Sequence, residues 1–346
     1  MIVYRIDPTT DRRWQVFLER HSDASIFHTP EWLETLRRTY DYEPVAFTTS
    51  PPGAALTNGL PFCRITGWLG GRRLVSLPFS DHCVPLAESS EQLTCLVTYL
   101  QHNLDSKNWD SIEIRGADPG LPECTNLAQS QTFFLHKLDL RPSLTDIFRG
   151  FHKDCVQRKI KRAAREGLAY EEGRSDSLLA KFYHLLLLTR RRHGLPPQPA
   201  AWFRNLVACL GDKVKIRVAS AGGRPIASIV TLRYKGVLVY KYGCSDSRFD
   251  NLGGTQLLFW KAIQEAKNDH LEELDFGRSE CNNFGLVAFK DRWGATRSTL
   301  VYLQYPQRGS QFIRGVTQVK IAKRLLTHTP GVLLAAAGRV LYKYMG

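Results

Sequence analysis

Apolar residues recur three and four apart at Leu93, Leu96, Val97 and Leu100, and again at Leu257, Leu258, Ala262 and Ile263, which places each set on one helical face. Each predicted helix, residues 90–104 and 254–267, runs through a short link into an alternating strand. The first strand reads Ser111-Ile112-Glu113-Ile114-Arg115-Gly116 and the second Leu274-Asp275-Phe276-Gly277-Arg278. The chain therefore repeats one unit of helix, link, strand and Gly/Arg corner, which implies two domains of like architecture. Strands are predicted over residues 44–48, 59–65, 73–77 and 133–140, and over 214–220, 226–234 and 236–242 in the second half. Ala221-Gly222-Gly223-Arg224 and Tyr234-Lys235-Gly236 join the last three as hairpin turns. Alternation along 236–242 puts Tyr240 and Tyr242 on one side and Lys241 on the other. Helices are expected over 14–18 and 30–39, the latter opened by Thr29-Pro30.

A length of 346 residues and 43% hydrophobic content suit two packed cores. The boundaries read as 1–145, 146–305 and a tail, 306–346. No two of the eight cysteines are spaced as a zinc or redox pair, which fits free thiols in a reducing compartment. The first residues lack the apolar run of a signal peptide, and no apolar stretch reaches the ~18 residues of a membrane span. A cytoplasmic protein is expected. Of the 47 Lys and Arg residues nine follow Asp291, where no acid occurs, so the remainder is nearly balanced, 38 basic against 33 acidic. Two amphipathic stretches, 312–326 and 332–344, carry six of those nine charges. Such a tail suits either the anionic inner face of a membrane or closure onto the first domain.

The segment Asp275 to Ala295 carries the most specific wording. Phe289-Lys290 followed by Trp293-Gly294 resembles the Phe-Lys-x-x-Phe-Gly signature of the Fem family of bacterial N-acyltransferases, with Trp where Phe is usual. Phe27-His28-x-x-x-Trp32 and the basic run Arg158 to Leu168 are similar to segments of the same family. Asp275-Phe276-Gly277-Arg278-Ser279 resembles its exosortase- or exopolysaccharide-associated offshoot. The resemblance implies an α/β fold of tandem GNAT-like domains, each a mixed, mainly antiparallel sheet flanked by helices. It also implies transfer of an activated acyl group from acyl-CoA or aminoacyl-tRNA to an amine of an envelope precursor or polysaccharide, without a metal. A Fem-type aminoacyltransferase acting on a peptidoglycan precursor with tRNA as partner is one alternative. A non-catalytic membrane-surface or scaffold protein is another.

Acyl transfer from an activated donor demands geometry, a proton acceptor and oxyanion stabilisation rather than a nucleophilic triad. Lys290 is expected to supply charge at the donor, Tyr242 to relay a proton and Asp275 to orient the amine. Tyr240, Ser245, Arg278, Phe289 and Arg192 are candidates to bind substrate. Arg248, Gly253, Gly254 and Thr255 precede a helix where amides could hold a donor phosphate, although the spacing departs from the Arg/Gln-x-x-Gly-x-Gly/Ala pattern of GNAT enzymes. Arg158, Arg162 and Arg165 share one helical face and suit a phosphate-bearing partner or plain solvent.

Overall fold

The computed structural model describes residues 2–67, 71–105, 109–116, 125–306, 338 and 341–344. They fall into two compact units, the first built on residues 1–133 with the last strand from residue 299, the second on 134–298. In the first unit β1 (Tyr4–Ile6), α1 (Arg12–Arg20) and α2 (Pro30–Tyr40) precede β2 (Glu43–Thr48), β3 (Asn58–Gly67) and β4 (Gly71–Val75). The two-residue β5 (Leu86–Ala87), α3 (Ser90–Asp105) and β6 (Ser111–Arg115) follow. Asp11 caps α1 by accepting from the amide of Arg13 at 3.0 Å, and Pro30 fills the first turn of α2 behind its Thr29 cap. Strands β1 to β4 pair antiparallel in chain order, whereas β6 returns parallel to β4 after crossing through α3. The apolar stripe of α3 buries Leu96, Val97 and Leu100 against Val45, Phe62 and Ile114.

The second unit opens with the later part of β7 (Ala128–Asp139), α4 (Leu144–Gly150) and α5 (Arg158–Arg165). β8 (Ala169–Gly173), α6 (Asp176–Arg192), α7 (Ala200–Leu210), β9 (Val214–Ala221), β10 (Arg224–Tyr234) and β11 (Val237–Ser245) come next. α8 (Gly254–Asn268), β12 (Glu273–Glu280) and α9 (Phe284–Asp291) complete it. β8 to β11 are antiparallel neighbours in order, and β12 lies parallel to β11 after crossing through α8. The succession β2-β3-β4-α3-β6 is thus matched by β9-β10-β11-α8-β12, so the repeat read from the sequence is a repeat of fold. Each copy carries a left-handed glycine at its Gly/Arg corner, Gly116 just after β6 with φ 82° and Gly277 within β12 with φ 71°.

Helices α5 and α8 cover one face of the second sheet. Leu258, Phe259 and Ile263 meet Phe151, Ile160, Phe276 and Trp293 there. Helices α6 and α7 cover the other face with Phe182, Trp202 and Phe203. The basic run opens as a π-helical turn, Lys153–Gln157, before α5. Gly167 ends it at φ 62°, as its position predicts. Along α5 and the turn before it, Arg158 lies 3.7 Å from Asp154 and Arg162 lies 3.2 Å from Glu166.

Most of the basic tail lies outside the described residues. Residues 341–344 sit on the first unit: Tyr42 Oη donates to the carbonyls of Tyr342 and Lys343, each at 3.0 Å, and Lys343 Nζ pairs with Asp41 at 2.9 Å. No helix among the described residues is long and apolar enough to cross a membrane.

Candidate active site

β11 and β12 pair only from Val237↔Glu273 to Val239↔Asp275, and both strands change course at that level. In β11 the register against β10 slips between Thr231↔Tyr240 and Val230↔Tyr242, leaving Lys241 as an extra residue in a β-bulge. In β12 the chain turns at Gly277, whose amide donates to Asp275 Oδ1 at 2.6 Å. Two parallel strands that diverge after three pairs form a fork. Backbone donors and acceptors along its arms suit a strand-like hold on an extended donor and an acyl carbonyl.

The bulge corrects one expectation. Tyr240 and Tyr242 do not share a side, because the extra residue between them inverts the alternation. Tyr240 packs on Phe259 and Phe276 under α8, and a Cβ on Gly243 would collide with its hydroxyl. Burial pushes its phenol up, out of reach of ordinary pH. Tyr242 faces α6 and α7 instead, with its ring against Phe203 and its Oη accepting from the indole N–H of Trp202 at 2.8 Å. Trp202 lies 40 residues away in sequence, and no local pattern pointed to it. Ser245 is held through its backbone, its amide donating to Thr189 Oγ1 at 3.0 Å and its carbonyl accepting from the same hydroxyl at 3.1 Å.

Helix α9 folds back so that Lys290 comes to the fork. Only 2% of this lysine is exposed, and its Nζ donates to the carbonyls of Gly277 at 2.7 Å and Arg278 at 2.9 Å. The ammonium therefore braces the kink in β12. Asp275, also buried, braces the same turn by accepting from the amide of Gly277. Phe289 belongs to the aromatic packing beneath, against Phe259 and Trp293, and Trp293 fills the place expected for Phe as a fully buried core residue. His136 of β7 was not singled out by any sequence signal. It is completely buried, and its Nε2 lies 3.2 Å from Asp291 Oδ1 at the end of α9. Arg192 is exposed at the C-terminus of α6, away from this packing.

The expected phosphate loop is placed differently from its sequence reading. Arg248 is committed to Asp246, with bonds of 2.9 and 2.6 Å that hold the carboxyl down at about 2. Gly253 adopts φ 80°, and a Cβ there would collide with the carbonyl of Lys159 in α5. Gly254 lies close to β10, less tightly, its added Cβ 3.1 Å from Ile226 Cδ1. These glycines let the start of α8, including Thr255, approach α5 and β10. Gly253→Ala is accordingly expected to destabilise the fold by ~2–4 kcal/mol, from left-handed strain plus a backbone clash. Equilibrium urea unfolding checks this; an unchanged midpoint with weakened donor binding would restore the phosphate role.

Residues 152–291 match the family model described as the acetyltransferase (GNAT) domain. The fold and the fork together define a GNAT-type acyltransferase class. Within that class the chain is similar to Fem-type transferases. A stretch of 109 residues is 29% identical to the UDP-N-acetylmuramoylpentapeptide-lysine N(6)-alanyltransferase of Weissella viridescens, covering 31% of this chain and 29% of that protein. The crystal structure of FemX superposes with a TM-score of 0.68 at 12% identity, covering 87% of this chain and 97% of its own. A tandem GNAT protein from the clavulanic acid biosynthesis pathway gives 0.55 at 9% identity, covering 88% and 97%. The tandem arrangement is thereby shown at the level of fold.

Proposed function

We propose that the protein is an N-acyltransferase that moves an activated acyl group to an amine of a cell-envelope precursor or polysaccharide. The fork of β11 and β12, braced by Lys290 and Asp275, is the observation that carries this reading. A donor carbonyl lying along the fork would meet backbone N–H groups as its oxygen gains charge, and the attacking amine would lose its proton to a nearby acceptor. Tyr242 is the proton relay in this scheme, oriented by Trp202. Tyr242→Phe is expected to lower turnover roughly 10- to 100-fold while costing ~1 kcal/mol of stability through the lost hydrogen bond from the indole of Trp202.

A second reading, aminoacyl transfer from tRNA to a peptidoglycan precursor, draws support from the alanyltransferase similarity. The filled glycine loop favours it too, since α5 and β10 occupy the space beside Gly253 and Gly254 where a coenzyme pyrophosphate would approach the backbone. Native mass spectrometry of the protein with acyl-CoAs and with charged tRNAs separates the donors. Retention of the acyl-CoA supports the first reading and retention of the charged tRNA the second. Retention of neither, with no acyl transfer to amine acceptors, leaves the scaffold alternative.

A further inference from the structure

In the first unit a groove of about 460 Å³ opens beside the C-terminal half of α3. Three guanidiniums line it, Arg5 from β1, Arg64 from β3 and Arg72 from β4, together with one carboxylate, Glu43. Arg5 Nη2 and Arg64 Nη1 both donate to the same oxygen, Glu43 Oε1, at 3.0 and 2.8 Å. One negative charge thus serves two positive ones. Arg64 also lies 4.7 Å above the ring centre of Trp109, and its Nε is buried with no hydrogen-bond acceptor. A buried guanidinium N–H without an acceptor is costly, and the edge it shares with Nη2 is shaped for two oxygens of one anion.

The corresponding place in the second unit gives an internal comparison. A pocket there lies between the C-terminal half of α8 and β9 to β11, and it is also lined with cations. Three of its cations are paired with acids: Arg217 reaches Glu265, Lys215 meets Glu172 at 3.2 Å, and Arg233 meets Asp212 and Asp269 at 3.2 and 3.3 Å. In the groove of the first unit, Arg5 and Arg64 share the carboxylate of Glu43.

We propose that the groove binds a phosphate-class oxyanion, free or as the phosphomonoester of a larger ligand, with the Arg5–Arg64 pair as its clamp and Trp109 as the platform that holds Arg64 flat. A planar guanidinium recognises such a group through paired N–H donors, which a lysine could not supply in the same geometry. The site lies in the unit that does not contain the fork, so it stands independently of the proposed reaction.

The full chain is titrated by calorimetry with inorganic phosphate, with glycerol 3-phosphate, and with vesicles containing phosphatidic acid, all at one ionic strength. Saturable binding of any of these is expected, and the tightest of the three identifies the source. Arg64→Met is expected to weaken binding at least ~10-fold. Glu43→Gln is expected to tighten it roughly 3- to 10-fold, because removing the competing carboxylate releases both guanidiniums. Arg12→Gln, an equal change of charge elsewhere on the unit, is expected to leave binding unchanged. Absence of saturable binding overturns the proposal, as does an Arg64→Met affinity equal to that of the unaltered chain, or weaker binding by Glu43→Gln.

Discussion

Lys290→Ala is expected to abolish activity and to destabilise the second unit by ~3–5 kcal/mol. The two losses have one cause. Each charge-assisted bond from Nζ is worth ~1.5–3 kcal/mol, and truncation leaves the carbonyls of Gly277 and Arg278 buried with their lysine partner gone. It also empties a space that a nearly fully buried side chain occupied. Because those carbonyls fix the turn in β12, losing the brace also loosens the arm of the fork. Position matters steeply in acyl transfer, so turnover should fall ~100-fold or more even where the variant remains folded. Lys290→Met separates the contributions, since it restores most of the volume and removes only the charge. A methionine variant with native melting temperature and native turnover would show the ammonium to be dispensable to both. One with a native melting temperature and collapsed turnover would place the lysine's charge in the chemistry itself.

The sequence carried the architecture further than it carried the site. Helical periodicity at Leu93 to Leu100 and at Leu257 to Ile263 located both crossing helices, and the hairpin turns at Gly222-Gly223 and Lys235-Gly236 located the strands they join. These signals are local: a helix face or a turn residue declares itself within a few positions. The signature around Phe289 and Lys290 is a local signal of the same kind. What decides the site is not local. A bulge at Lys241 depends on how β11 pairs with β10, and it reverses the side on which Tyr242 lies without leaving a mark in the order Tyr-Lys-Tyr. The bond from Trp202 to Tyr242 joins two elements, and so does the approach of Gly253 to the carbonyl of Lys159. A glycine before a helix looks the same in sequence whether it cradles a phosphate or a neighbouring helix. His136 carried no signal for a similar reason, since its partner Asp291 lies 155 residues away.

Acid should weaken the first unit well before ordinary carboxylates titrate, and His28 is the expected cause. This histidine is fully buried, and burial together with the nearby His82 and His21 pulls its imidazole down from 6.5 to about 4. The hydrogen bonds also select the neutral ring. Nδ1 accepts from the amide of Ser25 at 3.1 Å, so it must carry a lone pair, and Nε2 lies 2.9 Å from the carbonyl of Val84, to which its proton is donated. Protonation would set an N–H against the amide of Ser25. Since the folded value lies below the unfolded one, the unfolded chain takes up its proton first. The stabilisation is therefore complete above about 6.5 and drains away as pH falls toward 4, amounting to ~3 kcal/mol over the whole window. Measured by hydrogen exchange at the indole of Trp14, which donates to the carbonyl of His28 at 2.9 Å, protection should decline through that range. His28→Gln should lower stability at neutral pH yet flatten the decline, so that the two proteins converge near pH 4. Parallel pH curves for the two would mean that the buried imidazole is not the group responsible, and an imidazole seen by NMR to titrate near 6.5 in the folded chain would mean that it is not held neutral at all.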